Sequence, residues 1–96
     1  MTLDIPVHWY HCTNMKTITR TQTGVRIETR TLKILKALAA HLEIGLGDLI
    51  EGGVLHALEG KAPFSPATLA KIKQLRAVYG LTLTAADSHK LTETPS

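Results

Sequence analysis

A single cysteine, Cys12, stands in a chain of 96 residues. No internal disulfide can form, and nothing in the thiol pattern points to an oxidising compartment. Aromatic residues are almost as scarce, with Trp9, Tyr10, Phe64 and Tyr79 the whole set. A core drawn from Leu, Ile, Val and Ala suits helices better than a sandwich or barrel. There is no apolar run of about eighteen residues and no signal-peptide core, so the expectation is a soluble cytoplasmic protein with no membrane partner. Phosphate and dinucleotide fingerprints are missing: Gly45-Leu46-Gly47 lacks a third glycine and a preceding strand. His8, His11 and Cys12 are closely spaced, but His41, His56 and His89 are isolated. A structural zinc site needs four ligands, so no metal, no cofactor and no enzymatic activity are expected.

What is present is uneven charge. The formal net charge is only +3. Between Lys16 and Lys36, however, lie six basic residues (Lys16, Arg20, Arg26, Arg30, Lys33, Lys36) and one acid, Glu28, a local net of +5. The rest of the chain carries five basic residues and seven acids, a net of −2. A local excess of this kind attracts phosphate through counterion release, although a solvated basic face would have the same composition.

The basic region holds an alternating run, Gly24-Val25-Arg26-Ile27-Glu28-Thr29-Arg30. With a side-chain period of two, a strand here puts Val25 and Ile27 on one face and the charges on the other. No second strand of comparable quality follows, so the simplest partner is a second copy of the chain. Helical patterns come next. Leu32, Leu35, Leu38, Ala39 and Leu42 build an apolar stripe over a helix at 31–43, with Lys33, Lys36 and Ala40 opposite and Gly45 as its left-handed end. A second helix spans 48–58, with Ile50, Val54, Ala57 and Leu58 as its main apolar face and Asp48 in its first turn. Gly52-Gly53 in its interior costs about 1 kcal/mol per glycine relative to alanine. Close approach of a second copy of this helix would offset that cost; a merely weak or kinked helix is the alternative.

A third helix is signalled over 65–79 by Ser65 as N-cap and Pro66 at the first helical position. Its expected buried stripe is Leu69, Ile72, Leu75, Val78 and Tyr79, and Gly80 closes it. A short fourth helix is expected from Thr84 to Leu91. The chain thus divides into a flexible segment at 1–22, a unit at 23–60, a C-terminal helical extension at 61–91 and a tail at 92–96.

Strand, helix, Gly-containing turn and helix in this order resemble the ribbon-helix-helix (Arc/MetJ-like) family of DNA-binding dimers. The residues carrying the resemblance are Val25 to Glu28, Leu32 to Leu42 and Gly45 to Ile50. The resemblance implies a mainly α homodimer with one short N-terminal strand per chain, the two strands forming an antiparallel ribbon in the major groove of DNA. Residue by residue, it implies base contacts from Gly24, Arg26 and Glu28. It implies phosphate contacts from Arg30, Lys33, Lys36 and Gly47, the last at a helix N-terminus. The dimer interface would hold Val25, Ile27, Leu35, Ile50, Gly53 and Val54. Gly24 offers no side chain, Glu28 is acidic, and Asp48 stands beside the expected phosphate site. The expected function is a sequence-specific transcriptional regulator. The alternative is a protein-interaction dimer of the same fold, including an antitoxin-like protein that binds a partner through residues 61–91.

Overall fold

The computed structural model describes residues 16–94. His8, Trp9, Tyr10, His11, Cys12, most of the expected flexible segment and the last two residues of the tail lie outside the described residues. The fold is mainly helical. An extended stretch over 16–28 leads into α1 (Thr29–Leu42), α2 (Leu46–Leu58), α3 (Pro66–Tyr79) and a single 3-10 turn at Ala85–Asp87.

Each helix ends in the same way, with a left-handed residue and paired backbone bonds that satisfy otherwise free carbonyls. In α2, the Gly60 N–H donates to Ala57 O (3.0 Å) and the Lys61 N–H to His56 O (2.8 Å), with Gly60 at φ 74°. In α3, Gly80 at φ 67° plays this part, as its sequence position predicts. The end of α1 differs from expectation. Glu43, not Gly45, is left-handed (φ 59°, ψ 41°), and the Ile44 N–H donates to Ala39 O at 3.0 Å. Stopping here frees Gly45 to take an extended conformation as the N-cap of α2, whose first helical bond runs from the Leu49 N–H to Gly45 O. Helix α2 therefore begins at Leu46, two residues before the expected start.

A left-handed non-glycine residue costs roughly 1–2 kcal/mol, part of which glycine would forfeit through its freer unfolded state. Glu43→Gly is therefore expected to stabilise the protein by about 0.5–1 kcal/mol. Urea unfolding should show a raised midpoint with an unchanged slope.

Helix α1 is the centre of the packing and touches both α2 and α3. Leu38, Ala39 and Leu49 form the buried cluster, with Leu35, Leu42, Phe64, Ile72 and Leu75 packed around it. Phe64 and α3 thus cover the core. Two details correct the expected stripes. Ile34 is buried, although the expected stripe of α1 passed over it. On α3, Leu69 and Val78 are exposed, and only Ile72, Leu75 and Tyr79 are partly covered. The expected fourth helix is also cut short. Thr84 and Asp87 form a reciprocal capping box, but the chain turns away at His89, which is left-handed at φ 67°. The following Ser88, His89 and Lys90 are all exposed and offer no apolar side chain to hold another turn against the core.

Candidate nucleic-acid interface

The stretch from Lys16 to Arg26 is exposed throughout, and Ile27 and Glu28 are half-buried where the chain enters α1. Among the described residues no strand pairs with it. Val25, expected to face inward, is 74% exposed. Its neighbour Gly24 has open space around it.

Glu28 is used at the start of α1. Its Oε1 accepts from the Thr31 N–H and the Thr31 hydroxyl, each at 2.8 Å, and its Oε2 accepts from the Arg30 N–H at 3.0 Å. This explains why α1 begins at Thr29 rather than at Thr31: a carboxylate caps N–H groups that the helix leaves unpaired. The bond from the Arg30 N–H, then those from Thr31, hold the Glu28 carboxyl below its ordinary value of 4.5. A carboxyl lowered in the folded state lends stability above its unfolded value and loses it as pH falls through the folded value. Acid unfolding below about pH 4.5 should thus have a Glu28 component. Glu28→Gln is expected to flatten that limb of a stability–pH curve measured by circular dichroism.

The three arginines of the basic region all have acceptors within the chain. Arg20 donates through Nη2 (2.9 Å) and Nε (3.4 Å) to Glu51 on α2. That hydrogen bond and charge pairing lower the Glu51 carboxyl and raise the Arg20 guanidinium. Arg26 forks onto Glu93 of the tail, through Nε to Oε1 at 3.1 Å and through Nη2 to Oε2. Arg30 donates to the carbonyl of Gly80 at 3.3 Å, placing its charge at the negative end of α3. Lys33 and Lys36 lie exposed on the outer side of α1 and are in no ion pair among the described residues. All these contacts lie at the surface, where water and salt screen them. The pairings of Arg20 and Arg26 were not legible in sequence, because their partners lie 31 and 67 positions away. The cap by Glu28 left a local trace, a threonine three positions downstream.

Gly47 is exposed in the first turn of α2. Gly45 supplies no side-chain cap, so the leading N–H groups are free of one. Asp48 shares that turn, where its charge offsets the same dipole that would attract an anion.

Helix α2 is rich in apolar residues, with Asp48, Glu51 and His56 its polar side chains. Leu49 is buried against α1, whereas Ile50, Val54 and Leu58 run at four-residue spacing along a different side and are 37%, 49% and 78% exposed. Gly52 and Gly53 have no neighbour within 4 Å of where a side chain would begin. Leu42, Leu49 and Phe64 help to line an open cavity of about 360 Å³ beside them. The close approach expected to offset two interior glycines does not occur among the described residues.

No family model, no curated protein and no solved structure matches this chain.

Proposed function

We propose that the chain is a sequence-specific DNA-binding regulator that works as a homodimer of ribbon-helix-helix type, pairing residues 24–28 of two copies into an antiparallel ribbon. One observation carries this reading. An exposed, extended segment with an alternating pattern leads directly into α1, and both it and the Ile50–Val54–Leu58 side of α2 lack a covering partner among the described residues. A two-fold partner would answer both needs at once, since strand pairs with strand and α2 crosses α2 over Gly52 and Gly53. Val25, Ile27, Leu35, Ile50, Gly53 and Val54 would then be shared between protomers.

The local +5 charge supports nucleic acid as the partner. Arg26 is the best reader, because a guanidinium fork matches guanine O6 and N7 as it matches the Glu93 carboxylate. Arg30, Lys33, Lys36 and the N-terminus of α2 at Gly47 would hold the backbone. Three basic phosphate contacts per protomer give about six per dimer, which implies a slope near −5 in log affinity against log salt. Binding to random duplex DNA, followed by fluorescence anisotropy, should therefore weaken about 1000-fold between 50 and 200 mM salt. Arg26→Ala should keep that slope and lose about 1–3 kcal/mol of discrimination on a preferred site. A dimer without measurable DNA binding at low salt would favour the second reading, a protein-interaction dimer of the same fold. The engagement of Arg20, Arg26 and Arg30 inside the chain is the observation on that side.

A further inference from the structure

We propose that the C-terminal tail is an autoinhibitory strap, in which Glu93 occupies the Arg26 guanidinium of the free protein and must leave before Arg26 meets DNA. The inference rests on the DNA-binding reading above and adds a means of regulation to it.

The contact itself is the first reason. Arg26 and Glu93 lie 67 positions apart, yet they meet fork to fork. Nε donates to Oε1 at 3.1 Å, and Nη2 donates to Oε2. A guanidinium holds a phosphate, or the O6 and N7 edge of guanine, by the same paired geometry. The carboxylate therefore fills a donor pair that a nucleic acid would use. Its negative charge also repels any phosphate approaching the same group.

The second reason is how little else holds the tail. Residues 88–94 are all exposed, and Leu91, their large apolar side chain, is 56% exposed. Among the described residues, the side chains of this stretch make no hydrogen bond or ion pair besides the fork with Arg26. No packing against the core opposes departure of the tail, so it lifts without unfolding a helix.

The Arg20–Glu51 pair supplies the contrast. It too is bidentate, at 2.9 and 3.4 Å. Glu51, however, is carried by α2, so its carboxylate stays with the folded helix when the two separate. That pair braces the extended segment against α2, whereas Glu93 rides on a segment free to move away. The element that carries the acid makes the difference.

Exposure sets the strength. The Arg26 and Glu93 side chains are 81% and 63% exposed, so their pair is screened by water and salt and is reversible. It biases Arg26 without locking it.

The test is fluorescence anisotropy at low salt, using a duplex enriched from a random pool by the full-length Glu93→Ala variant. A surface pair occupies its arginine a few-fold over the free state, and a dimer carries two such pairs. Glu93→Ala should therefore bind this duplex about 3- to 30-fold more tightly than wild type. Glu59→Ala removes the same charge from the end of α2, where Glu59 pairs with Lys61, and should change affinity by less than about 2-fold. In an Arg26→Ala background, Glu93→Ala should likewise gain less than about 2-fold, because no fork remains to be freed. Wild-type affinity in Glu93→Ala, an equal gain in Glu59→Ala, or an undiminished gain without Arg26 would overturn the strap while leaving DNA binding intact. Enrichment of no sequence by Glu93→Ala would overturn the strap and the reading beneath it together.

Discussion

Val54→Asp should convert the protein from dimer to monomer and abolish cooperative thermal unfolding at micromolar concentration. The size of this effect is what makes it informative. Val54 is 49% exposed in a single chain and lies outside the buried cluster of Leu38, Ala39 and Leu49. Were the chain a monomer, a polar substitution there would change stability by no more than about 0.5 kcal/mol. In the dimer, the same carboxylate would sit where two copies of α2 cross, desolvated and unpaired, at a cost of several kcal/mol. The single chain buries only Ile34, Leu38, Ala39 and Leu49 among its described apolar residues. A core of that size gives little independent stability, so loss of the partner should bring loss of the fold. Circular dichroism melts at several concentrations provide the check: wild type should melt higher as concentration rises, and the variant should show no such dependence.

Leu38→Ala is the second large effect. Leu38 is 2% exposed and lies where α1 meets both of the other helices. Truncation there removes the transfer free energy of the buried methyl groups and leaves a cavity, together about 2–5 kcal/mol. For a domain this small, each kcal/mol lowers the melting temperature by about 4–8 °C. Urea unfolding should therefore show either a much reduced midpoint or no folded baseline. Unlike Val54→Asp, this loss belongs to the protomer and should persist at every protein concentration.

The parts of the fold that sequence disclosed were those governed by local rules. Ser65 with Pro66 fixed the start of α3 and Gly80 fixed its end, because capping and left-handed closure depend on a few adjacent residues. The end of α1 was displaced for a related reason. Glycine tolerates the left-handed conformation but does not require it, and Glu43 accepts it where the α1–α2 connection demands a tight close. The stripe on α3 was overextended because α3 packs on only one neighbour, leaving Leu69 and Val78 uncovered. Within the candidate interface, the charge excess and the alternating pattern were readable. The acceptors of Arg20 and Arg26 were not, since ion pairs across 31 and 67 residues leave no periodic trace. Glu28 lay between these cases: its alternation suggested an outward reader, whereas its position before Thr29 made it a helix cap.

The proposed dimer requires that a second copy of the chain complete both the extended segment and the open side of α2. Sedimentation velocity of the full-length protein at micromolar concentration tests this most directly. The expected result is a single species at twice the chain mass of 10.5 kDa. A stable, cooperatively folded species at the single-chain mass would contradict it.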